Sequence, residues 1–414
     1  MCSMNFTKQS NNQTIKQSNN QTIKQSNNQT IKQSNNQTIK TERQKDRKTE
    51  NKKFFNLEIL RIIGCISIVF IHLFSHQLLD AVDKVEIYAK LARLNSSGRM
   101  AVEMFFIISG LLFSIKLDLN QSILDFVKKK LIRLYPVLVF VVFASAIICA
   151  LGLIEFSIFD DLLALFLLNG TGLVLRIVNT TGPFRYVSAM LWTMLLFMYL
   201  LKNFEKKYVD LMIVLLIFFS YTFIIHALNG RMYGPVFTYY NFINIGMLRA
   251  FGGIGLGYLI GEWYKIYSEK IEHAMVSTKT KILITLSEFA CLFFIVYNLL
   301  LHDIKFDNRI IFVIVFAITI MLFISKKGFI SKFLDNKIFS KVSRYTYSIY
   351  MTHLLTIMAL SGSLWKNCQT FVYEHPVSNI ATTLLLVTTF GIFTYHVIEV
   401  PSAKFLRKKF LKKV

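Results

Sequence analysis

From Leu57 onward the chain alternates between long apolar runs and short, polar, basic connectors. Ten runs approach the ~20 residues needed to cross a bilayer's hydrocarbon core. They cover roughly 57–79, 99–117, 135–154, 187–201, 209–228, 241–261, 281–301, 310–325, 343–361 and 378–398, the fourth and eighth being short. A further apolar stretch, 158–178, contains Asp160, Asp161, Asn169 and two glycines, and reads as a re-entrant or interfacial piece. The pattern predicts an all-α polytopic membrane protein of about ten transmembrane helices over residues 54–402, followed by a basic tail, 403–414.

Residues 1–53 have no apolar face to bury, and disorder is expected there. Within them K-Q-S-N-N-Q-T-I occurs four times without a change, from Lys8 to Ile39. The eight-base unit AAACAATC, read three times, encodes that octapeptide. Because eight is not a multiple of three, gain or loss of one unit would shift the frame and switch expression. A flexible linker duplicated in whole codons is the alternative, and the gene's codons separate the two.

Charge adds orientation. With a cytoplasmic N-terminus, the connectors on the inner side carry 24 Lys and Arg against 10 on the outer side, so both termini are expected in the cytoplasm. The net charge of +23 lies in clusters between apolar runs rather than on one face, which argues against a nucleic-acid partner. A hydrophobic content of 54% and a mean hydropathy of +0.47 fit a multi-pass protein whose partner is the lipid bilayer. The five cysteines have no metal-ligand spacing, and no metal site is expected. The first apolar run begins only near Leu57, so no cleavable leader is expected.

That first run, L-E-I-L-R-I-I-G-C-I-S-I-V-F-I-H, carries Glu58, Arg61 and His72. Ionisable groups in a membrane segment cost a few kcal/mol each at its centre and tend to mark a site. Arg61 and His72 are eleven residues apart, which puts them about 20° apart around a helix and roughly 16 Å apart along it. A guanidinium near the inner surface suits a phosphate-bearing ligand from the cytosol. An imidazole deeper in suits proton transfer from a hydroxyl. The plainer alternative pairs Arg61 with Glu58 and leaves His72 as a satisfied interior histidine.

L-E-x-x-R followed by ten residues and His resembles the first-helix signature of the acyltransferase 3 family, which O-acylates bacterial surface glycans. Further segments follow in the same order. Gly98–Ser114 resembles the helix with the F-F-x-x-S-G core, and Lys128–Pro136 the basic loop before a Tyr-Pro helix. Leu191–Leu200 resembles the Leu-Trp helix, Ser343–His353 the S-Y-S-x-Y-x-x-H segment, and His396–Pro401 the closing I-E-x-P. The resemblance covers about 57–410 and implies a donor, cytosolic acetyl-CoA, and an acceptor, a glycan or lipid-linked glycan, at the bacterial inner membrane.

On that resemblance Arg61, Lys130, Arg133 and Arg249 are expected to bind the donor's phosphates, and His72 to act as general base. Ser109 and Gly110 leave room for another backbone or a thin ligand such as a pantetheine arm. Glu103 is expected to pair with Arg249 or to orient His72. Lys130 stands where the family commonly has arginine, and Phe197 and Met198 where many relatives have glutamates, an acid that Glu103 or Glu399 would then supply. Trp192 reads as an interface anchor or site residue. Tyr347, Tyr350 and His353 share a face at i, i+3 and i+6, and Glu399 pairs with Lys404 or serves the site. The expected function is O-acetylation of lipopolysaccharide or capsule, varied in phase by the repeat. A glycan or lipid flippase and a glycan polymerase are the competing classes.

Overall fold

The computed structural model describes residues 53–78, 84–94, 96–152, 158–172, 182–230, 232, 238–239, 243–301, 309–361 and 369–411. The repeat tract and the tail's last residues lie outside them. Among the described residues the structure is helical apart from one antiparallel pair of two-residue strands. In chain order the elements are α1 (Leu57–His72), α2 (Glu86–Leu94), α3 (Ala101–Ile115), α4 (Ile123–Ala150), α5 (Ile158–Leu165), α6 (Phe184–Asn203) and α7 (Lys206–Ala227). Strands β1 (Thr238–Tyr239) and β2 (Ile243–Asn244) follow, then α8 (Ile245–His273), α9 (Thr278–Val296), α10 (Ile310–Ser325), α11 (Phe329–Leu334) and α12 (Lys337–Ser343). Helices α13 (Thr346–Ser361), α14 (Gln369–Glu374), α15 (Pro376–Thr394) and α16 (Val400–Phe410) complete the chain.

Among the described residues seven helices are long and apolar enough to cross a membrane, so the protein is polytopic. Helix α8, at 29 residues, is longer than most of them. Its six glycines and its charges dilute its hydropathy. Those glycines have a packing purpose. Gly253, Gly257 and Gly261 line one side of α8, and Gly110 answers from α3. A methyl at Gly257 would overlap the Ile107 carbonyl oxygen, and one at Gly110 would overlap that of Ile254. The two backbones therefore touch, as small residues allow in lipid. Polar ties fix the same seam at both ends: Glu103 meets Arg249 at one, and Ser114 Oγ donates to Glu262 Oε1 at 2.8 Å at the other.

Helix α4 begins well before the expected boundary. Ser122 caps it, accepting from the Asp125 amide at 3.0 Å and donating to the Asp125 carboxylate at 2.7 Å. The basic segment Lys128–Arg133 is thus helical and continuous with the membrane-crossing part, and Pro136 sits inside the helix. The first turn of α1 is held from α10 to α12. Asn56 Nδ2 donates to the Phe323 and Ser331 carbonyls at 2.7 and 3.1 Å, and the Phe55 amide donates to Asp335 at 2.9 Å. Beyond His72 the chain widens into a π turn, Leu73–Gln77, and α15 ends in another, Tyr395–Glu399. Such turns recur near functional sites. In the segment after α4, α5 is followed by Leu167 in a left-handed conformation, φ 55°. The Leu167 carbonyl accepts from Ser188 Oγ and, at 2.9 Å, from Trp192 Nε1.

Candidate active site

Arg61 and His72 both lie on the unbroken α1. Arg61 Nη1 is 3.0 Å from both Glu58 carboxylate oxygens, and Ser343 Oγ donates to the same carboxylate at 2.6 Å. Glu58 therefore anchors the guanidinium without burying it, since Arg61 remains a quarter exposed. On α4, Arg133 is exposed, and Lys130 is half-buried with its ammonium 5.4 Å from the Phe126 ring centroid. Arg133 and Lys116, at the end of α3, are both near enough to Lys130 for their charges to repel it. Three cations gathered this way favour a polyanion. Arg133 makes no hydrogen bond or ion pair within the described residues.

The charges of Arg61 and Arg133 both act on the Tyr186 hydroxyl, which shares a 3.1 Å hydrogen bond with Ser109 Oγ. Around it is a cluster of rings. Tyr186 lies 4.7 Å from Phe106, 6.1 Å from Phe105 and 5.8 Å from Tyr350, centroid to centroid. Tyr350 reaches on to His353 at 5.7 Å, and His353 to His72 at 5.2 Å. A chain of polar side chains thus runs from the cations to two facing imidazoles. His353 is buried, and its Nδ1 lies 2.6 Å from the Tyr350 carbonyl oxygen. A carbonyl only accepts, so Nδ1–H donates and the neutral ring keeps its lone pair on Nε2.

Other expected site residues sit elsewhere. Glu103 is fully buried, and Arg249 Nε donates to it at 2.6 Å and Tyr221 at 3.3 Å. Of the partners open to Arg249 the structure shows the carboxylate of Glu103, and it sets Arg249 apart from Lys130. Glu103 and Lys116 are thirteen residues apart, or about 20 Å along α3 and its end, so Arg249 is too far away to share one phosphate cluster. It lies near Tyr350 instead, its charge acting on that hydroxyl. Beside Gly110 the approach is made by another backbone, that of α8 at Ile254, rather than by a thin ligand. Trp192 faces a groove between α4, α6 and α16, away from the imidazoles. Tyr347 donates to the Leu134 carbonyl at 2.8 Å, and Ser348 donates to Glu399 at 2.6 Å. Arg133 acts electrostatically on both Tyr347 and Glu399. Phe197 and Met198 are core residues. Tyr186 and Lys116 were not among the expected residues, and no sequence spacing singles them out.

A multi-pass bundle in which cations lead through hydroxyls to paired histidines is an arrangement suited to an anionic ligand and to proton transfer. The comparison with known families is specific: an acyltransferase domain of the acyltransferase 3 family matches residues 54–397. The chain belongs to that family and is a membrane O-acyltransferase. No curated protein and no solved structure matches it.

Proposed function

We propose that the protein transfers an acetyl group from acetyl-CoA to a hydroxyl of a surface glycan, lipopolysaccharide or capsule, at the bacterial inner membrane. The observation that carries this reading is the continuity from Arg61 and Arg133 through Tyr186 and Tyr350 to His353 and His72. Lys130, Arg133 and Lys116 hold the donor's phosphates, with Arg61 beside them. Tyr186 and Ser109 flank the path of the thioester arm. His72 takes the proton from the acceptor hydroxyl as its oxygen attacks the thioester carbonyl, and His353 packs against His72 and holds its ring. Collapse of the tetrahedral intermediate breaks the C–S bond, and the imidazolium returns its proton to the departing thiolate. No acyl-enzyme is needed.

Adding α8, α10 and α13 to the seven longer helices gives ten crossings, with both termini in the cytosol and the cation cluster on the donor's side. Residues 54–402 act as the catalytic domain, 1–53 as a tail whose repeat switches expression, and 403–414 as an inner-surface tail. The test is mass spectrometry of surface glycan from cells with and without the gene. Loss of an acetyl mass on deletion supports the reading. Unchanged acetylation with shortened chains or blocked export overturns it in favour of polymerisation or transport.

A further inference from the structure

A groove of about 440 Å³ runs along the outside of the bundle, away from the candidate active site. Its walls are the first half of α4 (Leu131, Tyr135), the middle of α6 (Trp192, Leu195) and the end of α16 (Phe410). Every lining side chain is apolar or aromatic except one, Lys128. Lys128 makes no hydrogen bond or ion pair within the described residues, and Lys409 adds a second cation with its ammonium 5.4 Å from the Phe410 ring centroid. At the opposite end the groove is lined by Leu165, Phe166 and Leu167, and Ser188 and Trp192 pin Leu167 to α6.

Size and charge limit what fits. A transmembrane helix is about 10–12 Å across, so this volume would take only about 5 Å of its length. The much longer chain of a polyprenyl carrier would overrun this volume. One end of the groove is cationic and the other is apolar and lies about halfway along α6, near one leaflet's depth of a roughly 30 Å hydrocarbon core. We propose that the groove holds one acyl chain of an anionic phospholipid, with the lipid's phosphate at Lys128 and Lys409. Because Lys130 and Arg133 are on the same helix as Lys128, the bound lipid braces the helix that carries two of the donor-site cations.

The chain has three tryptophans, so Trp263→Phe with Trp365→Phe leaves Trp192 as the only indole, 40% exposed and in the groove wall. The full-length protein is placed in phosphatidylcholine vesicles containing increasing fractions of brominated-chain phosphatidylglycerol or brominated-chain phosphatidylcholine, and Trp192 quenching is followed. A basic residue near a membrane surface favours an anionic lipid by about five-fold. Half-maximal quenching is therefore expected at a phosphatidylglycerol fraction at least about five-fold lower than for phosphatidylcholine. Lys128→Gln with Lys409→Gln should remove that difference. High salt on the unsubstituted lysines should shrink it, which keeps the test valid if the double variant does not fold. Equal quenching by the two lipids overturns the proposal, as does a preference that survives both the double substitution and high salt. So does displacement of brominated phosphatidylglycerol by a smaller fraction of polyprenyl phosphate, which would give the groove to a carrier lipid.

Discussion

Replacing Arg249 by methionine tests whether this cation serves the fold or the donor. Glu103 is fully buried, and its carboxylate has two partners, Arg249 at 2.6 Å and Tyr221 at 3.3 Å. Arg249→Met leaves a buried carboxylate with only a phenol to satisfy it. Breaking a buried pair from one side costs about 3–5 kcal/mol, because the remaining charge must stay desolvated or take up a proton. Removing both charges is much milder. In Glu103→Met/Arg249→Met the main loss is the hydrogen bond from Tyr221, about 1 kcal/mol. The double variant should therefore be more stable than Arg249→Met alone, although it carries an extra substitution. Unfolding in mixed detergent micelles measures all four corners of the cycle, with donor KM measured in parallel. The reasoning fails if Arg249→Met is as stable as the parent and only its donor KM rises, since that is the signature of a phosphate ligand.

Further outcomes follow from the same geometry. His72→Ala should lower kcat by about 10²–10⁴, the usual contribution of a general base, while the protein still accumulates in the membrane; acyl transfer measured on purified protein checks this. Lys130→Gln and Arg133→Gln should each raise donor KM roughly tenfold or more, as loss of a charged hydrogen bond worth about 1.5–3 kcal/mol predicts. Both effects should weaken at high salt in steady-state assays. Gly257→Leu should abolish accumulation of folded protein, because its side chain would have to pass through the Ile107 carbonyl; size-exclusion chromatography of detergent extracts reports it.

The apolar pattern made most of the fold legible. Helix α10 spans 310–325 as expected, and α1, α9, α13 and α15 begin within three residues of their apolar runs. Helix α4 was harder, because three consecutive lysines, Lys128–Lys130, interrupt the apolar positions Ile123, Phe126 and Leu131 that pack on the core, and Ser122 with Asp125 marks its start. The Arg61–His72 register was readable because both residues lie on one helix, where a fixed rise and rotation suffice. Tyr186 was not. Its partner Ser109 is 77 residues away, and nothing local in either segment encodes that meeting. Arg249 was partly legible: a cation in an apolar run needs an acid, and Glu103, one of the partners expected for it, is the one it meets, while its distance from Lys130 follows from the parallel packing of α3 and α8.

The glycine seam between α3 and α8 constrains how the protein works as well as how it is built. Two helices whose main chains interlock, tied by Glu103 at one end and Ser114 at the other, behave as a single fixed post. If the enzyme admits donor from one side and acceptor from the other in turn, the moving parts are the helices packed around that post. Helices α1, α4 and α13, which carry Arg61, Arg133, His72 and His353, are then among the parts that shift.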